Sequence, residues 1–89
     1  MKAEIAISTA GHDLNEIYVA FSVEKNVVLL ANGKEKTISK PKRKNPKHIN
    51  LIECKDDRLE ELLVKCCTDE AIHQAVLYYK KKLLLTKIE

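Results

Sequence analysis

Tryptophan is absent from this 89-residue chain, phenylalanine occurs once, and glycine and proline occur twice each. Two isolated glycines, Gly11 and Gly33, cannot build a phosphate-cradling loop, which needs several at fixed spacing. No apolar run approaches the ~20 residues that cross a bilayer, and the first residues lack the apolar core of a signal peptide. The three cysteines, Cys54, Cys66 and Cys67, are odd in number and two are adjacent. That pattern does not make a disulfide framework and fits a reducing compartment, so the expected location is cytoplasmic and no membrane partner is expected. Cys66 and Cys67 would diverge by about 100° on a helix, a poor metal clamp. Cys66 reads as a core residue, and a bridge from Cys54 to either neighbour stays open. There is no Cys-x-x-Cys pair, His12, His48 and His73 are scattered, and no serine or cysteine sits in a nucleophile motif. The expectation is a non-enzyme with no metal, no cofactor and no small-molecule substrate.

What the chain does have is segregated charge. The net charge of +3 divides into −2 over residues 1–33, +6 over 34–48, zero over 49–52, −4 over 53–74 and +3 over 75–89. An evenly mixed surface is the ordinary arrangement for a soluble domain. The basic stretch Lys40-Pro41-Lys42-Arg43-Lys44-Asn45-Pro46-Lys47-His48 concentrates it. Each proline lacks an amide donor and restricts the residue before it, which excludes a regular helix or a central strand. The sequence predicts an extended, solvent-facing basic loop over residues 40–48, stiffened by its prolines. A solvated loop that only aids solubility is the bland reading. Stiffening weighs against it, because a preformed loop has less to lose on binding.

Short strands surround this loop. Residues 4–8 alternate and read as a first strand, broken at Gly11, which is free to adopt a positive φ. Residues 17–23 give the cleanest two-residue period, with Ile17, Val19, Phe21 and Val23 on one face and Tyr18, Ala20 and Ser22 on the other. Residues 27–31 read as a buried strand, Asn32-Gly33 as a type I′ hairpin turn, 36–39 as a fourth strand and 48–52 as a fifth. Five short strands over residues 1–53 predict a small curled barrel of the SH3-like kind. The period then lengthens. Asp57 with Glu60 predicts a capped helix start, Leu59, Leu62, Leu63 and Cys66 share one helical face, and Thr68 or Asp69 opens a second helix. Its buried stripe is Ile72, Ala75, Val76, Tyr79 and Leu83, with Lys80, Lys81 and Lys82 near its far end to suit the macrodipole. Fold class is therefore mainly β with C-terminal α: a barrel over 1–53 and a helical appendage of one or two short helices over 54–89.

The residues from Glu4 through Lys34, with Gly11 as the loop glycine, resemble a KOW motif. Together with Asn32-Gly33-Lys34, the Lys40-Pro41-Lys42-Arg43-Lys44 loop and the Pro46-Lys47-His48-Ile49 end, the chain is similar to small bacterial KOW-domain RNA-binding proteins, relatives of archaeal and eukaryotic large-subunit ribosomal proteins. It departs from them just after Gly11, where His12, Leu14, Asn15 and Glu16 replace a basic residue and a second glycine and lower the loop's positive potential. The resemblance implies a barrel that binds RNA without catalysis, on ribosomal RNA or the ribosome.

The residues point the same way independently. Lysine and arginine neutralise phosphates and release counterions, and arginine can grip a phosphate with two donors. Lys42, Arg43, Lys44 and Lys47 are the expected contacts, with Lys34, Lys36, Lys40 and His48 flanking. Tyr18 is the one candidate platform for base stacking, which favours backbone recognition of structured RNA. The alternative is a protein-interaction module, in which the barrel and C-terminal helices dock a partner or form a homodimer.

Overall fold

The computed structural model describes residues 3–53 and 55–88, the side chains of 86–88 excepted. Cys54, and any bridge it makes, lies outside them. Strands β1 (Glu4–Ser8), β2 (Ile17–Val23), β3 (Val28–Ala31), β4 (Lys42–Lys44) and β5 (Ile49–Ile52) precede helices α1 (Asp57–Val64) and α2 (Asp69–Ile88). The strands form one antiparallel sheet in the order β4-β3-β2-β1-β5. In keeping with the small barrel expected from the sequence, the sheet curls into a half-barrel, and the two helices follow it.

Two features close the curl. The β2–β3 register slips between Ala20 and Ser22, leaving Phe21 as an extra residue that increases the local twist. A 3-10 turn, Pro46–His48, then carries the chain from β4 on one edge to β5 on the other. Ala6, Tyr18, Ala20, Val28 and Leu30 fill the concave side, with Ile49 against them. Ile5, Ile17, Val19 and Ala31 lie on the opposite face, in one cluster with Leu59 and Leu63 of α1 and Ile72, Ala75 and Val76 of α2. The helices are thus a second layer on a shared core. The bulge also moves Val23 off the expected face: it pairs with Val28 and is exposed, while Phe21 packs on the helix side.

Several local expectations are corrected. Residues 36–39 are not a strand. The amide of Ile38 donates to Asp69 Oδ1 at 2.8 Å, and Thr37 and Lys40 close a turn on each other. The fourth strand is instead Lys42–Lys44, inside the stretch expected to be an extended loop. An edge strand needs a ladder on one side only, and both prolines fall just outside it. Pro41 precedes β4, and Pro46 opens the 3-10 turn, whose cap Asn45 accepts from the Lys47 amide at 2.9 Å. Asn32-Gly33 is not a type I′ turn, because Gly33 has φ +84° but Asn32 does not enter the left-handed region. Asn32 Oδ1 accepts from the amides of Lys34 (2.9 Å) and Lys36 (3.1 Å). Gly33 lies hard against the start of α2, where a Cβ would stand 2.7 Å from His73 Cβ and 2.8 Å from His73 N.

The cap of α1 is Asp56, one residue before the expected Asp57. Its Oδ1 accepts from the amides of Arg58 and Leu59, and its Oδ2 from Tyr78 hydroxyl (2.9 Å) and Lys82 Nζ (2.6 Å) on α2. One carboxylate therefore caps α1 and pins it to α2. Four donors hold it ionised, Lys82 and Tyr78 foremost, and its pKa falls to about 2. Of the two caps expected for α2, Thr68 fills the role: Ala71 N donates to its Oγ1 at 3.2 Å. The helix runs on to Ile88, so Lys80, Lys81 and Lys82 lie in its body, beyond the reach of a macrodipole that fades within the last turn.

Candidate nucleic-acid interface

Side chains alternate along β4, so Lys42 and Lys44 point to one side and Arg43 to the other. That alternation divides the basic stretch into two populations. Lys44 turns to the sheet face that carries Val28 and Leu30, where its side chain is only 10 % exposed. Its ammonium donates to Ser8 Oγ (2.7 Å), to the Ala10 carbonyl (2.7 Å) and to Asp13 Oδ1. An ammonium has three protons, and here each has its acceptor. None is left for a phosphate.

Asp13, in the loop between β1 and β2, is the hub of this cluster. Ser8 Oγ lies 2.8 Å from its Oδ1 and 3.0 Å from the Ala10 carbonyl, either of which takes the hydroxyl proton. Tyr18 hydroxyl donates to Asp13 Oδ2 at 2.9 Å, and Lys42 Nζ stands 3.6 Å from the same oxygen. Burial by itself would raise the Asp13 pKa. The hydrogen bonds from Lys44, Ser8 and Tyr18, and the charge of Lys42, outweigh it and hold the carboxyl well below the usual range. Burial and the Asp13 carboxylate push the Tyr18 phenol well above its ordinary value. Ser8 itself is wholly buried beneath this cluster. Gly11 sits at φ +89° on the loop above this cluster, where its missing side chain serves backbone conformation and not close packing.

The second population faces water. Lys34, Lys40, Arg43, Lys47 and His48 are exposed, Lys36 and Lys42 partly so. Among the described residues only Lys42 of these seven makes an ion pair, the long one to Asp13. Lys40, Arg43 and Lys47 all fall on β4 or the turns at its ends. Lys34 stands apart from them, against α2: with Asn32, His73 and Lys80 it lines a groove of about 320 Å³ that also holds Glu16 and Glu35.

Sequence reasoning missed Asp13, although an acid in a loop otherwise matched to a basic pattern was the available signal. Lys80 and Lys81, expected near the far end of the second helix, are exposed cations in the body of α2. Tyr18 was expected on an outer face for stacking, but it is 5 % exposed and its hydroxyl is committed to Asp13. Among the described residues no three His, Cys, Asp or Glu side chains converge as a metal site, and no helix is long and apolar enough to cross a membrane. No protein-family model matches the chain and no curated protein matches it, so the functional reading rests on its own residues and geometry.

Proposed function

We propose that this protein binds structured RNA, without catalysis, by presenting Arg43, Lys40 and Lys47 to the phosphate backbone, flanked by Lys34, Lys36, Lys42 and His48. The carrying observation is that Arg43 is exposed, and without an ion-pair partner among the described residues, on an edge strand whose two neighbouring lysines face the other way, Lys44 being tied to Ser8, Ala10 and Asp13. Such a strand fixes the backbone that carries Arg43 before any ligand arrives, so backbone ordering adds little to the cost of binding. The absence of an exposed strand aromatic favours backbone over base recognition. The resemblance of the sequence itself to a KOW motif agrees with this class, and on that resemblance the ligand is ribosomal RNA in the cytoplasm.

The test is a salt titration of binding to structured ribosomal RNA, comparing the native protein with Lys40→Ala/Arg43→Ala/Lys47→Ala. With three to five phosphate contacts the log–log slope should be roughly −2 to −4, and the triple variant should lower it by about 2. Absence of binding at low salt, or an unchanged slope in the triple variant, refutes the proposal.

A further inference from the structure

Apolar residues surround α2 on two opposite sides, where a helix resting on one core needs a single stripe. Ile72, Ala75 and Val76 face the barrel and are buried, whereas Leu77, Leu84 and Leu85 point away and are 45 %, 62 % and 60 % exposed. At 100° per residue Leu77, Lys81, Leu84 and Leu85 fall on one outward stripe. That stripe borders a trough between the helices. Arg58, Leu62, Gln74, Leu77, Tyr78 and Lys81 line about 240 Å³ of it, and Tyr78 and Lys81 continue with Leu85 into a further 270 Å³. Its floor is apolar and its rim carries Arg58 and Lys81, with the mutually paired Asp56 and Lys82 at the far end.

The exposed side of α1 has the opposite character. Asp57, Glu61 and Val64 recur at helical spacing on it, and Val64, 73 % exposed, is an apolar side chain among acids. The Arg58–Glu61 pair, 3.6 Å apart with both side chains 67 % exposed, is a solvated contact that leaves both charges available. One molecule thus carries an acidic ridge with an apolar knob and, beside it, an apolar trough with a basic rim. Surfaces complementary to each other on a single chain are what a two-fold interface requires, since each copy must supply both halves.

We propose that the helical hairpin is a homodimer interface, with the Asp57/Glu61/Val64 side of α1 seated on the α1–α2 trough of a second copy. At about 1.5 Å per residue α2 is about 30 Å long and α1 about 12 Å. Two such helices ~10 Å apart offer an outer face of roughly 400 Å², about half the ~800 Å² per partner of a standard interface, and the dimer is a weak one. The inference does not rest on RNA binding.

Sedimentation equilibrium, run with reductant from about 5 to about 500 µM, tests it. A dimer mass should emerge with concentration and weaken as salt rises. Leu77→Glu/Leu85→Glu, which changes only exposed side chains, should leave the melting curve intact and raise the dimer Kd by roughly thirtyfold or more. Glu61→Lys and Lys81→Glu should each weaken the dimer, and combining them should restore it. A monomer mass at every concentration overturns the proposal and leaves the trough to a partner of another sequence. A dimer indifferent to the leucine variant, or charge reversals that fail to rescue each other, overturns it as well.

Discussion

Neutralising Asp13 should cost more than any other single polar change in the barrel. Asp13→Asn keeps the shape and the acceptor for Tyr18 but removes the charge facing Lys44, whose ammonium is nine-tenths buried. Breaking a buried pair by removing one partner costs about 3–5 kcal/mol, because the remaining ion is left uncompensated. That is about a fifth or more of the 5–15 kcal/mol that typically separates a small domain from its unfolded state. Lys44→Met leaves the carboxylate in the same predicament, although Lys42 and Tyr18 still attend it. The double variant removes both charges, so the two losses should not add: a coupling of about 2 kcal/mol or more is expected in urea-denaturation cycles. The pH dependence supplies the sign. The folded Asp13 carboxyl is held below its unfolded value, so its stabilisation is complete above that value and drains away as pH falls below about 4. Asp13→Asn should flatten that acid limb. A cost under about 1 kcal/mol, or additive losses, would show that the cluster only decorates a barrel held closed by its apolar core.

Gly33→Ala should destabilise by about 2–4 kcal/mol in the same assay, since a Cβ would be forced into both a left-handed φ and the backbone of α2 at His73; an effect near zero would mean α2 is free to shift. Asp56→Asn retains a good capping residue but loses the charge held by Lys82, so its melting temperature should fall at neutral pH and converge on the native value toward pH 2, where the native Asp56 protonates. Burial pushes the Cys66 thiol up to about 11, so peptide mapping after alkylation at neutral pH should find Cys66 modified far more slowly than the exposed Cys67. Tyr18→Phe removes the phenol donated to Asp13 and should cost about 1.5–3 kcal/mol, a bond to a charged acceptor, while leaving RNA affinity unchanged; a matching loss of RNA affinity would return Tyr18 to the binding surface.

The parts of the fold legible from sequence are those in which apolar spacing alone determines the element. The five residues of β1 and seven of β2 are found at their expected bounds. The stripe Ile72, Ala75, Val76 is buried as its helical spacing requires. The strand that escaped is β4, because Lys-Arg-Lys contains no apolar residue to alternate. Its inward positions are lysines, one of them accommodated only because Ser8, Ala10 and Asp13, some thirty residues earlier in the chain, supply every acceptor it needs. No local signal reports such a pairing. Asn32-Gly33 misled for a related reason. Its glycine answers the approach of a helix that begins at Asp69, not the demand of a hairpin. The shift of the α1 cap from Asp57 to Asp56 likewise follows from Tyr78 and Lys82, which favour the carboxylate that can serve both helices.

The same long-range pairing bears on how a basic surface can coexist with a stable barrel. Seven cations and one acid over residues 34–48 repel one another, and a strand carrying three of them in a row should resist being fixed. Burying Lys44 against Asp13 relieves the strain at its centre. It removes one cation from the repelling set, and the same carboxylate lies within 3.6 Å of Lys42. Arg43, on the opposite side of the strand, has no carboxylate partner among the described residues and keeps its field toward solvent. At physiological salt that field reaches about 8 Å, so an acid on the Arg43 side would offset it, whereas Asp13 beneath the strand is already neutralised by Lys44. On this view the acid at Asp13, which lies among the departing positions His12, Leu14, Asn15 and Glu16 without being one of them, does not weaken the surface. Its carboxylate is the counterion that lets β4 be a strand. Moving the charge, by Asp13→Asn with an aspartate restored in place of exposed His12, should therefore recover neither stability nor acid sensitivity, because the new carboxylate would face water and not Lys44. Recovery of either in urea and pH melts would show that net charge, not the seat of that carboxylate, governs the fold.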